Sequence, residues 1–83
     1  MSSKATKNLI TLNNLSIGET CTVNLLTADG IIRRRFLDLG LINGTEVKAL
    51  TKSPSGDPIA YLIRGAVIAI RCEDACKIIV ESI

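Results

Sequence analysis

The stretch that decides the fold is Ile31–Thr45, with the sequence IIRRRFLDLGLINGT. Within it, Ile32, Phe36 and Leu39 recur at the spacing of an α-helix, so a helix here would place all three on one face. Gly40 follows directly, and glycine is the residue through which helices most often end in the left-handed conformation. We therefore predict one short helix that is anchored by an apolar face and ends at a defined residue.

Both ends of this helix have local signals. Asp29 precedes it as an N-cap, and its negative charge suits the positive end of the helix dipole. At the other end, we expect Leu41 to contact Phe36 in a Schellman-type closure. Asn43-Gly44 then turns the chain into a strand, because both residue types tolerate turn geometry.

Short runs rich in apolar residues fill most of the remaining sequence. In Thr20–Leu26, the side chains of Cys21, Val23 and Leu25 fall on one side, which is typical of a half-buried strand. Arg64-Gly65 separates two apolar runs and is typical of a hairpin turn. The five predicted strands are Thr20–Leu26, Thr45–Thr51, Ile59–Ile63, Ala66–Ile70 and Lys77–Glu81. This order predicts an all-β fold with short helices, a small bent barrel of about five strands with the helix after the first strand.

The chain of 83 residues allows a single domain. Met1–Asn8 is polar and has no apolar period, so we interpret residues 1–8 as a disordered leader and residues 9–83 as the domain. Thr11–Leu15 is expected to form one helical turn. Lys52–Pro58 contains both prolines and is the clearest loop.

Composition argues against nucleic-acid and membrane partners. The net charge of +2 comes from Lys4 and Lys7, and the rest of the chain has eight basic and eight acidic residues. Phe36 and Tyr61 are the only aromatic residues, so a stacking surface for bases is not expected. The apolar stretch Ile59–Ile70 is shorter than the roughly 20 residues that span a bilayer, so direct membrane insertion is not expected either.

The three cysteines are predicted to be reduced thiols of a cytoplasmic protein, because an odd number does not make a disulfide framework. Cys21 lies on the apolar side of its strand and is expected in the core. Cys72 and Cys76 are four residues apart and would share one side of a helical turn. Together with Cys21 they are the candidate metal ligands, but their spacing and the lack of histidine are unlike a zinc site. We predict no intrinsic metal site and no cofactor.

Catalysis has no candidate residues in this sequence. There is no histidine to act as a general base, and no serine or cysteine has such a partner. Gly56-Asp57-Pro58 lacks the spacing of a phosphate-binding loop and is interpreted as a turn. We therefore predict that the protein is not an enzyme.

A family resemblance rests on the central motifs. RRRFLDLGLINGTEV at Arg33–Val47, GDPI at Gly56–Ile59 and the Arg64-Gly65 pair occur in an order that resembles the FeoA family over about Leu9–Val80. Asn43-Gly44 replaces the Pro-Gly turn that is common in this family. The resemblance implies an SH3-like β-barrel and a small cytosolic protein of ferrous iron transport. It also implies binding to the transporter FeoB, at its cytosolic G-protein domain or at the cytosolic face of its membrane domain.

The three consecutive arginines are the main candidate for partner binding. Because helical residues lie about 100° apart, Arg33, Arg34 and Arg35 fan over roughly 200° of the helix. A solvated helix face explains them as well as a docking surface for an acidic patch does. With Asp38 and Leu41, they are the predicted partner-binding residues for FeoB.

Two further hypotheses remain open from the sequence. The first is a stand-alone relative of the C-terminal SH3-like domain of DtxR-type iron-dependent repressors, which would sense a metal or bind a regulator. The second is weak homo-oligomerisation, because the exposed edges of a small sheet pair readily between molecules.

Overall fold

The structure, a computed structural model, describes residues 8–82. In this part of the chain, six strands form one antiparallel sheet in the order β1-β6-β2-β3-β4-β5. The strands are β1 (Leu9–Thr11), β2 (Thr20–Leu26), β3 (Glu46–Lys52), β4 (Ile59–Ile63), β5 (Ala66–Ile70) and β6 (Ile78–Ser82). Helix α1 (Gly30–Asp38) joins β2 to β3, α2 (Cys72–Ala75) joins β5 to β6, and a 3-10 turn covers Leu12–Asn14.

The five predicted strands and the helical turn after Thr11 are present, and one strand was missed. β1 is only three residues long, too short to show a period, and it pairs with β6 at one edge of the sheet. The main helix therefore follows the second strand of the sheet, not the first. Most of the predicted leader lies outside the described residues, but the carbonyl of Asn8 accepts a hydrogen bond from the N–H of Ser82 at 3.1 Å.

The core is formed by the inner sides of the four central strands together with α1 and the 3-10 turn. Val47, Ile63 and Val80 are almost fully buried there. Tyr61 is buried among them, and its hydroxyl donates to the carbonyl of Leu12 at 3.4 Å. The core is therefore mostly aliphatic, and it also contains both aromatic residues of the chain, Tyr61 and Phe36.

The predicted hairpin and loop are both confirmed. Arg64 and Gly65 have positive φ angles of 51° and 84°, as expected for a two-residue hairpin turn between β4 and β5. In the loop between β3 and β4, the carboxylate of Asp57 accepts a hydrogen bond from the N–H of Cys72 at 2.9 Å. Asp57 therefore ties this loop to the start of α2.

One prediction for β2 is wrong. Leu25 was expected beside Cys21 and Val23 on the inner side, but about half of its side chain is exposed. The pairing of β2 with β6 shifts register between Val23 and Leu25, and such a bulge moves the following side chains to the opposite face. Leu26 takes the inner position and packs against the core.

Candidate docking surface around helix α1

Helix α1 is anchored as the sequence predicted. Phe36 is buried in the core, and Ile32 and Leu39 pack against it from the same side of the helix. Asp29 is the N-cap residue with extended backbone, although its side chain makes no capping hydrogen bond. The apolar face therefore positions the helix, and the N-cap contributes only its backbone geometry and charge.

The C-terminus of α1 forms the predicted Schellman closure. Gly40 has a φ of +92°, and its N–H donates to the carbonyl of Leu37 at 3.0 Å. The N–H of Leu41 donates to the carbonyl of Phe36, also at 3.0 Å. The hydroxyl of Thr45 donates to the carbonyl of Gly40 at 2.7 Å, which ties the end of the helix to the start of β3.

Leu41 has a different position from the other predicted partner-binding residues. Its side chain is fully buried, because the closure directs it inward. Leu41 therefore packs in the core beneath the exposed residues of α1 and does not reach solvent. The other four predicted residues, Arg33, Arg34, Arg35 and Asp38, are exposed on α1.

The structure separates the three arginines. Arg33 lines a groove between α1 and β2, and Arg35 lines a second groove between α1 and β5. Arg34 lies between them on the outer side of the helix and lines neither groove. The predicted fan therefore places Arg33 and Arg35 on opposite flanks of the helix.

We call the first of these the β2 groove, a depression of about 320 Å³. It is lined by the end of β2, one side of α1 and the turn that follows the helix, which are Val23–Leu26, Arg33, Leu37 and Leu41–Asn43. Among the described residues that line it, Arg33 alone is charged. Its guanidinium donates to the carbonyl of Leu26 at 3.4 Å, and the side chain of Asn43 donates to the carbonyl of Asn24 at 2.6 Å.

The second, the β5 groove, holds about 540 Å³. It lies between the other side of α1, the end of β5 and the start of α2, and its lining residues are Ile32, Arg35, Phe36, Asp38, Leu39, Ile68–Arg71, Glu73 and Asp74. Two arginines and three carboxylates face this groove. Its charge is therefore mixed, with an excess of acid.

The hairpin tip completes this side of the molecule. The side chain of Arg64 lies against Gly40, so closely that a β-carbon on Gly40 would overlap Arg64 Cδ. The hairpin between β4 and β5 therefore lies next to the end of α1. Gly40 is needed both for its φ angle and for the space that its missing side chain leaves.

The three cysteines lie in different environments. Cys21 is buried in the core as predicted, and burial raises the pKa of its thiol to about 11. Partial burial and the nearby Asp57 carboxylate raise the pKa of Cys72. Cys76 is exposed, and its thiol donates to the carbonyl of Glu73 at 3.2 Å. Across residues 8–82, no three histidine, cysteine or acidic side chains come together as a metal site.

The described part of the chain also contains no helix that is long and apolar enough to cross a membrane.

The exposed apolar side chains of Leu25, Leu37 and Ile42 were not recognised as candidates from the sequence. For Leu25, the alternation of β2 predicts the inner face of the strand, but the bulge in β2 turns its side chain to the outer face. For Leu37 and Ile42, only the approach of the helix end to β2 brings them together.

Comparison with known proteins shows the fold class and the family of this chain. An FeoA-like protein from Clostridium acetobutylicum is 35% identical, with a TM-score of 0.85 over 95% of this chain and 91% of that one. The zinc complex of FeoA from Stenotrophomonas maltophilia, described as a prokaryotic SH3 domain protein, is 26% identical, with a TM-score of 0.75 over 92% of this chain and 89% of that one. The fold is therefore that of a small SH3-like domain. Residues 10–82 match the FeoA domain, and the chain belongs to the FeoA family.

A curated relative joins this domain to a transporter. The chain is 32% identical over 72 residues to an Fe(2+) transport protein A/Fe(2+) transporter FeoB fusion protein from Porphyromonas gingivalis. The match covers 87% of this chain and 8% of that protein's length. In that relative, an FeoA-like segment and a transporter share one polypeptide, which links the family to Fe²⁺ transport.

The predicted likeness to repressor domains is also found. A manganese-dependent transcriptional repressor is 24% identical, with a TM-score of 0.82 over 95% of this chain and 44% of that one. At this identity, the likeness shows a shared fold and nothing about shared function.

Proposed function

We propose that this protein is a non-catalytic accessory protein of ferrous iron uptake that acts in the cytoplasm by binding FeoB. The observation that supports this most directly is the fusion relative, in which both partners belong to one polypeptide. Joining two modules raises their effective concentration for each other, which favours pairs that function in contact.

The exposed arc of α1 is the proposed contact surface. Arg33, Arg34, Arg35 and Asp38 project from a helix whose position is fixed by buried Phe36 and by the closure at Gly40. Arginine is enriched at the energetic centres of protein interfaces, and a rigid helix orders few additional groups on binding. An acidic surface on the cytosolic side of FeoB is the expected complement.

The test is a titration of the protein with full-length FeoB in nanodiscs, by calorimetry, in GDP and in a non-hydrolysable GTP analogue. We expect saturable binding that weakens as salt is raised, because the contact is charged. Replacing Arg33, Arg34 and Arg35 together by Glu is expected to abolish binding. Lys48→Glu, on an exposed part of β3 outside both grooves, is the matched control. Absence of binding by the wild type in both nucleotide states contradicts the proposal.

The alternative function, metal sensing by a relative of a repressor domain, is supported by the shared fold alone. Metal analysis of the purified protein distinguishes this alternative from binding to FeoB. Protein purified under anaerobic, reducing conditions is analysed for bound metal, alongside a variant with Cys72→Ala and Cys76→Ala. Stoichiometric metal that disappears in the variant favours the sensor.

A further inference from the structure

We infer that the docking face of this protein is the β2 groove. We further infer that its ligand is an acidic amphipathic segment of the transporter, with apolar side chains on the groove and a carboxylate on Arg33. This inference rests on the proposed function, because it names the surface and the chemistry by which FeoB would be recognised. The inference assigns different roles in binding to Arg33 and Arg35, which the sequence alone does not distinguish.

The first argument is exposed apolar surface. Leu25, Leu37 and Ile42 come from β2, α1 and the turn after α1, and their side chains are 49%, 42% and 50% exposed. All three line the β2 groove. Single exposed aliphatic residues are common, but three that come from separate elements and line one groove are typical of an interaction surface.

The second argument is charge. Arg33 is the one charged residue among the described residues that line the β2 groove. In the β5 groove, Arg35 shares the surface with Arg71 and with the carboxylates of Asp38, Glu73 and Asp74. An acidic segment is therefore attracted to the β2 groove, while in the β5 groove it meets more acid than base.

The third argument is rigidity of the rim. The N–H of Gly44 donates to the carbonyl of Val23 at 2.8 Å, and Asn43 donates to the carbonyl of Asn24 at 2.6 Å. The exposed guanidinium of Arg33 also reaches the Leu26 carbonyl, at 3.4 Å. A guanidinium has five N–H donors, so this contact leaves others for a carboxylate. A surface held in this way loses little conformational freedom when a partner binds.

The competing surface is the β5 edge. Ala66–Ile70 has no charged residue, pairs on one side with β4, and exposes 65% of Val67. Such an edge accepts an extended strand from a partner or from a second copy. It lacks a cation of its own, so it provides no selectivity for an acidic segment.

The experiment uses the full chain with methyl-labelled Ile, Leu and Val, titrated with full-length FeoB in nanodiscs. We expect the methyl signals of Leu25, Leu37 and Ile42 to shift or broaden, while those of Val67 and Ile68 stay unchanged. The reverse pattern overturns the inference and moves the contact surface to the β5 edge, while the proposed binding to FeoB stands. Absence of binding overturns the proposed function and the inference with it.

Matched variants give the same distinction by affinity. Arg33→Glu is expected to weaken binding by about tenfold or more, a clearly larger loss than for Arg34→Glu or Arg35→Glu, while Lys48→Glu stays within about twofold of the wild type. Ile42→Asp is paired with Val67→Asp, since both residues are exposed and neither substitution empties the core. Circular dichroism and urea unfolding confirm that each variant is folded. Equal losses for Arg33→Glu and Arg35→Glu, or a loss only for Val67→Asp, overturn the inference.

Discussion

The two flanks of α1 belong to one helix, yet they differ in chemistry. On the β2 side, a small groove combines exposed aliphatic side chains with a single arginine. On the β5 side, a larger groove combines arginines with a greater number of carboxylates. Arg33 and Arg35 are two residues apart in sequence, but the turn of the helix places them in different environments. A run of like charges in the sequence therefore does not define one surface, because the neighbouring elements decide which groups lie beside each residue.

The largest expected effect comes from the residue that supports both flanks. Phe36→Ala removes a buried aromatic side chain and should lower the free energy of unfolding by about 3–5 kcal/mol. A domain of this size has only a few kcal/mol of stability, so we expect the variant to be largely unfolded. Leu37→Ala, the neighbouring exposed position, should change stability by about 0.5 kcal/mol. Circular dichroism without denaturant measures the folded fraction of both variants, and urea unfolding measures the stability of Leu37→Ala. Equal losses would show that the helix is not anchored through Phe36.

A smaller effect distinguishes two thiols, Cys21 on β2 and Cys72 at the start of α2. Burial raises the pKa of Cys21 from 9.0 to about 11, so the unfolded chain loses this proton first as the pH rises. Stability from this group is complete below pH 9.0 and should fall by about 2 kcal/mol by pH 11. Cys21→Val should remove that part of the alkaline loss.

Cys72→Ala is the matched variant on the β5 side. Its thiol is only partly buried, so its share of the alkaline loss should be smaller than that of Cys21. Burial also raises the pKa of Tyr61, which titrates in the same direction and is unchanged in both variants. Urea unfolding at pH 7, 9 and 11 provides the measurement. An alkaline loss that persists fully in Cys21→Val would contradict this assignment.

The smallest expected difference is between two glycines, one on each flank. Gly40 lies beneath the hairpin and Gly44 in the turn beside β2, and their φ angles are +92° and +91°. Replacing either by Ala should cost roughly 1–2 kcal/mol, because both backbones are left-handed. A β-carbon at Gly40 also meets Arg64, whereas none lies within 4 Å at Gly44. Gly40→Ala should therefore cost more.

Arg64→Ala, alone and combined with Gly40→Ala, completes the cycle. In the Arg64→Ala background, the cost of Gly40→Ala should fall to that of Gly44→Ala. If the difference persists in urea unfolding, the contact between hairpin and helix end does not contribute to it.

Local signals account for the parts of the fold that could be predicted. The spacing of Ile32, Phe36 and Leu39 and the position of Gly40 define α1 and its closure without reference to the rest of the chain. The hairpin at Arg64-Gly65 is equally local. β1 was missed because three residues show no period, and it forms only because β6 offers an edge.

The candidate site was predictable only in part. The fan of the arginines follows from helix geometry, but the strands beside each arginine depend on the order of the sheet. The alternation in β2 predicted Leu25 inside, and the bulge that exposes it arises from pairing with β6. Leu41, chosen with the arginines, is buried because the closure that identified it also turns it inward.

The hydrogen bond between Ser82 and Asn8 places the two ends of the described chain next to each other. Ser82 pairs with Cys21, near the start of β2, whereas the β2 groove opens near Leu25 toward its end. A strand rises about 3.3 Å per residue, so roughly 7–17 Å along β2 separates Cys21 from Val23–Leu26, the part of the strand that lines the groove. A tether joined at Asn8 or Ser82, whether a tag on a sensor chip or a fused polypeptide, would therefore start beside the end of β2 that does not line the groove.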